Sequence, residues 1–92
     1  MTLEDIITLP NTLFAQVVDE EMVILDTTSQ EYFGLDETGD VIWHHLSEHG
    51  SLQKTYEAMS EVYAVDAAQL EADICRFVQE LVDAGLVELK SS

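Results

Sequence analysis

His45 and His49 stand four residues apart, a spacing that puts two imidazoles on one face of a helix and can hold zinc. His44, Asp40 and Glu48 lie close by. A zinc site draws three or four ligands from more than one element, and nothing elsewhere in the sequence is placed to complete one. The three histidines therefore read as exposed helix residues, and no metal is expected. Cys75 falls mid-helix on an apolar flank with acidic neighbours, whereas a nucleophilic thiolate needs a cation, a helix N-terminus or a paired histidine. It reads as a small buried hydrophobe. Carboxylates are plentiful, but an acid/base pair needs a pocket that raises one pKa. With no phosphate loop, dinucleotide fingerprint or Ser-based elbow, neither an enzyme nor a cofactor is expected.

The charge limits the partners. Nineteen acids face three basic residues, Lys54, Arg76 and Lys90, giving a net charge of -16. Nucleic acid and anionic membrane both require phosphate neutralisation by Lys and Arg, so neither is expected. The acids suit a basic peptide or a protein with a basic patch, or else they serve solubility. An apolar fraction of 47% opposes the disorder that such a charge would otherwise bring, so the 92 residues are expected to fold as one small domain. A lone cysteine cannot form an intramolecular disulfide, which fits a reduced cytoplasm. The N-terminus, "MTLEDIITLPNTLF", has acids where a signal peptide has positive charge, and no apolar run approaches the roughly 20 residues that span a bilayer. The reading is a cytoplasmic chain without a targeting segment.

The first half reads as strands. Leu13 to Val18 and Met22 to Leu25 are rich in Val, Ile and Phe and flank the polar turn Asp19-Glu20-Glu21, which predicts a hairpin. A polar break, Thr27-Thr28-Ser29, leads to a short third strand, Gln30 to Gly34, that would lie at a sheet edge. Alternation there sends one of Tyr32 and Phe33 to the core and leaves the other half exposed.

The second half reads as helices. Thr38 can cap a helix carrying Val41, Ile42 and Leu46, closed by Gly50. Ser51 starts a second, with Leu52, Thr55, Tyr56, Met59, Val62 and Tyr63 at the spacing of one stripe. After Ala64-Val65, Asp66 and Gln69 form a capping-box variant for a third helix, Asp66 to Ala84. On it Leu70, Ile74, Phe77 and Leu81 face a core, and Cys75, Val78 and Val82 add a second apolar line. Gly85 closes this helix, and "LVEL" adds a last short strand or an extended tail. Residues 1–12 form a leading segment in which Pro10 precedes the first strand, and residues 13–90 form the domain.

Strands followed by three helices, with "VILDTTSQEYFGLDETGDVIWHHL" in the middle and "DICRFVQELVDAGLVEL" at the end, resemble the PqqD-like family, also called the RiPP recognition element. The resemblance runs from about Leu13 to Leu89 and rests on the aromatic pair with Leu35 and Gly39, then Ile42-Trp43, Phe77, Leu81 and Gly85-Leu86. Where the family often has Asn after the leucine, this chain has Asp36; either can cap a helix.

The resemblance implies an α+β, winged-helix-like domain: an N-terminal three-stranded antiparallel sheet followed by three helices. It implies a non-catalytic protein that binds the leader segment of a ribosomally made precursor peptide and delivers the core segment to modifying enzymes. At this length the chain is most similar to the free-standing recognition proteins of lasso-peptide biosynthesis, which work with a separate leader peptidase and a cyclase. The family mode is strand addition, here onto Gln30, Glu31, Tyr32, Phe33 and Gly34 beside the third helix. The helix side of the pocket then falls to Ile74, Phe77, Val78 and Leu81, the strand side to Tyr32 or Phe33. Asp73 and Glu80 lie where they could pair with a basic leader residue. The rival reading is an acidic adaptor or inhibitor subunit that holds a basic protein.

Overall fold

The computed structural model describes residues 2–28, 30–63 and 66–90. Strand β1 (Ile6–Thr8) is followed by β2 (Leu13–Val18), β3 (Glu21–Asp26) and β4 (Glu31–Leu35), helices α1 (Glu37–His49), α2 (Leu52–Val62) and α3 (Ala67–Asp83), and strand β5 (Glu88–Lys90). The expected three-stranded antiparallel sheet is present in the order β2-β3-β4. Residues 6–8, a run of three that is too short to announce a strand, pair with β5 in a separate two-stranded ribbon.

The β2–β3 hairpin turns at Asp19 and Glu20, both with positive φ (52° and 69°), the geometry of a two-residue type I′ turn whose twist matches that of the strands. Val18 and Glu21 close it as a cross-strand pair. Of the polar break before β4, Ser29 lies outside the described residues, as do Ala64 and Val65. Gln30 is left-handed, with φ 62°, and its N–H is spent on the Asp26 carbonyl at 2.8 Å. The third strand is therefore Glu31–Leu35, one residue later than the sequence pattern suggests.

Asp36, not Thr38, caps α1: its Oδ1 accepts from the Gly39 N–H at 2.7 Å, and Thr38 lies inside the first turn. Ser51 caps α2 through the Lys54 N–H. Asp66 caps α3 by accepting from the Ala68 and Gln69 N–H groups, but Gln69 does not reach back as a capping box would. Its amide instead donates forward to Asp73 Oδ1 at 2.8 Å. Gly85, with φ 77°, ends α3 in a Schellman arrangement in which Leu86 N–H donates to Leu81 O and Gly85 N–H to Val82 O.

The core lies between β3 and the helices. Ile24, Ile42, Leu46, Leu52, Ile74, Val78 and Leu81 are fully buried, each contributing about 1.5–3 kcal/mol of transfer free energy. Ile7, Leu86 and Val87 seal its lower side, so both chain ends belong to the packing. Thr55 is the buried polar residue among those described, and its hydroxyl donates to the Ser51 carbonyl at 2.9 Å. Val62 and Tyr63, expected in the α2 stripe, are exposed instead, since the helix ends as its last turn clears the core.

Candidate functional site

The two edges of the sheet differ. Among the described residues strand β2 pairs only with β3, and it overhangs the helices, leaving even the inward-pointing Val17 exposed. Strand β4 continues directly into α1 and faces α3, and Phe33 meets Phe77 edge-to-face, with centroids 6.4 Å apart and planes at 74°. The open edge of β4 therefore runs beside a helix, with an aromatic pair at the bottom of the gap.

Beyond that pair a cleft of about 240 Å³ opens between the start of α1 and the outer face of α3. Asp36, Gly39 and Ile42 line one side; Asp73, Arg76, Phe77 and Glu80 line the other. Gly39 is there for space as much as for helix geometry: a Cβ on it would lie 3.1 Å from the Phe77 ring and 3.1 Å from the Asp36 carboxylate. Three carboxylates and one guanidinium line this cleft. Arg76 is 3.5 Å from Asp73 and mostly exposed, so the pair contributes only about 0–1 kcal/mol and leaves the cleft negative. At the Gly34-Leu35 end of β4 a second depression adds Glu20, Glu21, Glu37 and Asp40, without a basic side chain.

Of the residues singled out in the sequence, Phe33, Asp73, Phe77 and Glu80 converge on this cleft and its floor. Glu31 and Gly34 lie on the β4 edge, and a Cβ on Gly34 would meet nothing within 4 Å. Gln30 sits outside the strand with its N–H already used. Ile74, Val78 and Leu81 are fully buried beneath α3 and support the cleft without lining it. Tyr32 points to the other face of the sheet and is 75% exposed, which makes Phe33 the strand-side aromatic. Asp36, Gly39 and Arg76 line the cleft although the sequence pattern does not mark them as site residues; the Asp-x-x-Gly spacing of a helix cap is the local signal for the first two.

The groups considered for chemistry are dispersed. Among the described residues no cluster of three or more His, Cys, Asp or Glu side chains could hold a metal ion. His44 and His45 contact each other edge-to-face, while His49 Nδ1 accepts from the Ser51 N–H at 3.1 Å. Burial of part of its ring, and then Lys54, hold the His49 pKa below the usual 6.5. The folded chain thus refuses a proton that the unfolded chain accepts, so His49 costs stability as the pH falls below 6.5. An NMR titration should give His49 a midpoint under 6.5; a midpoint above it would contradict the Ser51 bond. Burial, and then Glu71, raise the Cys75 thiol, so it is held in its unreactive form. No helix among the described residues is long and apolar enough to cross a membrane.

A small antiparallel sheet followed by three helices, with one sheet edge unpaired among the described residues and set beside the last helix, defines an α+β domain of winged-helix-like form. The model of the family described as Coenzyme PQQ synthesis protein D (PqqD) matches residues 21–87, more than half of the chain, and the chain belongs to that family. Two solved structures are similar. One, TbiB1 in complex with the TbiA(beta) leader peptide, is 30% identical, with 88% of this chain and 94% of that one covered and a TM-score of 0.77. The other, a lasso peptide synthetase B1 complexed with the leader peptide, is 27% identical, with 88% and 95% covered and a TM-score of 0.74. A search of the curated proteins found no match.

Proposed function

We propose that this protein binds the leader segment of a ribosomally made precursor peptide, of the lasso type, by adding it as a strand to the open edge of β4. It then presents the precursor to a leader peptidase and to a cyclase, and catalysis takes place on those enzymes. The observation that carries this reading is the open β4 edge lying directly beside a negative cleft floored by Phe77. Membership in the PqqD family supports it, as do two similar proteins that were solved with leader peptides.

The energetics divide the work. A few backbone hydrogen bonds at about 0.5–1.5 kcal/mol net each are largely offset by the cost of ordering the peptide. Micromolar affinity needs about -8 kcal/mol, so apolar leader side chains must supply most of it, at about 1.5–3 kcal/mol each when buried. With Ile74, Val78 and Leu81 already in the core, the apolar surface left for them is the half-buried Phe33, backed by the margin of the Phe77 ring. Asp36, Asp73 and Glu80 favour a leader carrying Lys or Arg at this end, tuning register and association rate more than affinity.

Glu80→Lys tests the placement without touching the core, because Glu80 is exposed. Calorimetry with the cognate leader should show affinity lowered roughly three- to tenfold, with melting temperature unchanged. In the wild type, amide NMR shifts should concentrate in residues 31–35 and along α3. Unchanged affinity together with shifts elsewhere would remove the cleft from consideration.

A further inference from the structure

The face of the sheet turned away from the cleft is also unlike an ordinary surface. Phe14, Leu25 and Tyr32 form one cross-strand row over β2, β3 and β4, and beside it run Gln16, Val23 and Gly34, then Val18 and Glu21. Phe14 is 55%, Val18 44% and Tyr32 75% exposed, although a monomer seldom leaves large apolar side chains contiguous. Between Val18 and Tyr32 lies a depression of about 320 Å³, floored by Val23 and Leu25 and rimmed also by Gln16, Asp19 and Glu21, with Phe14 beyond it on the Leu25 side.

From Leu13 to Leu35 the chain has no Lys, Arg or His, but it has Asp19, Glu20, Glu21, Asp26 and Glu31. This charge selects the occupant. A second copy would bring another -16 and the same acidic hairpin tip, so self-association is opposed. A leader added as a strand to β4 beside α3 extends the sheet at the edge opposite β2, and so leaves Phe14, Val18 and the hairpin tip uncovered. We infer that this outer face docks a protein partner presenting apolar side chains within a frame of Lys and Arg. Apolar burial in the depression holds the partner, and the acidic rim orients it. The face is separate from the leader cleft, so one molecule can hold the precursor and the partner together.

The peptidase that removes the leader is the probe, a choice that rests on the function proposed above. Its binding to the full chain is measured by interferometry for the wild type, Phe14→Ala, Val18→Lys and Asp19→Asn, with leader affinity measured in parallel. Phe14→Ala and Val18→Lys should each weaken peptidase binding ~10-fold or more. Asp19→Asn, which tolerates the left-handed turn, should weaken it less and reduce its dependence on salt. All three should keep leader affinity within about twofold of the wild type, since none lines the cleft. Peptidase binding that is absent, or indifferent to all three substitutions, overturns the inference. So does sedimentation showing that the wild type self-associates and that Val18→Lys disperses it. Failure of the leader to bind the wild type would instead count against the proposed function, while a peptidase contact sensitive to Val18→Lys would still uphold the docking face.

Discussion

Phe77→Ala is expected to cost about 3–5 kcal/mol of stability and to abolish detectable leader binding. The ring is 8% exposed, meets Phe33 edge-to-face and fills the space that Gly39 leaves open, so truncation opens a cavity at the junction of β4, α1 and α3. Small domains have only about 5–15 kcal/mol in hand, and the alanine variant is at risk of unfolding. Phe77→Leu separates the two effects. It keeps most of the apolar volume and loses the aromatic pair, worth about 0.5–1.5 kcal/mol beyond its area. Circular dichroism should report a folded protein, and calorimetry a weakened leader. A folded Phe77→Leu that bound leader like the wild type would show that the aromatic floor is packing alone.

Gly50→Ala should be nearly as damaging, by a different route and at a distance from the cleft. Gly50 closes α1 with φ 70°, where a side chain costs about 1–2 kcal/mol. A Cβ there would also come to 2.5 Å from the Ile7 carbonyl oxygen, and backbone cannot swing away as a side-chain tip can. The Gly50 carbonyl accepts from the Ile7 N–H at 2.9 Å, so relieving the clash breaks the bond that docks β1. A loss of roughly 2–3 kcal/mol is expected, with the melting temperature falling about 4–8 °C for each kcal/mol. Asparagine, which tolerates a left-handed backbone, should not rescue the position, because it carries the same Cβ. Recovery by Gly50→Asn would mean that conformation, and not the approach of Ile7, is the constraint.

Much of the architecture was legible from local patterns. The β2–β3 hairpin follows from two Val- and Ile-rich runs around an acidic turn, and α3 from Leu70, Ile74, Phe77 and Leu81 at helical spacing above an Asp cap. Caps chosen among neighbouring residues were less legible. Thr38 and Asp36 are both competent, and Asp36 wins because α1 must begin immediately after β4 for Gly39 to pass beneath Phe77. The ribbon of β1 and β5 could not be read locally, since its strands lie some eighty residues apart and neither has a core face of its own apart from Ile7.

The site was only half legible for a related reason. Periodicity identifies which side chains share a helix face, and it grouped Ile74, Phe77, Val78 and Leu81. It does not say which part of that face the rest of the chain covers. Packing against α1, α2 and β3 buries Ile74, Val78 and Leu81 completely and leaves Phe77 at the margin, where Asp36, Asp73 and Glu80 surround it. Composition and pattern by themselves determined an acidic α+β domain with a short aromatic strand at a sheet edge. Tertiary structure decided which edge lies beside a helix, which aromatic looks into the cleft and which looks away. Those outcomes depend on contacts between residues far apart in the chain, and no local preference encodes them.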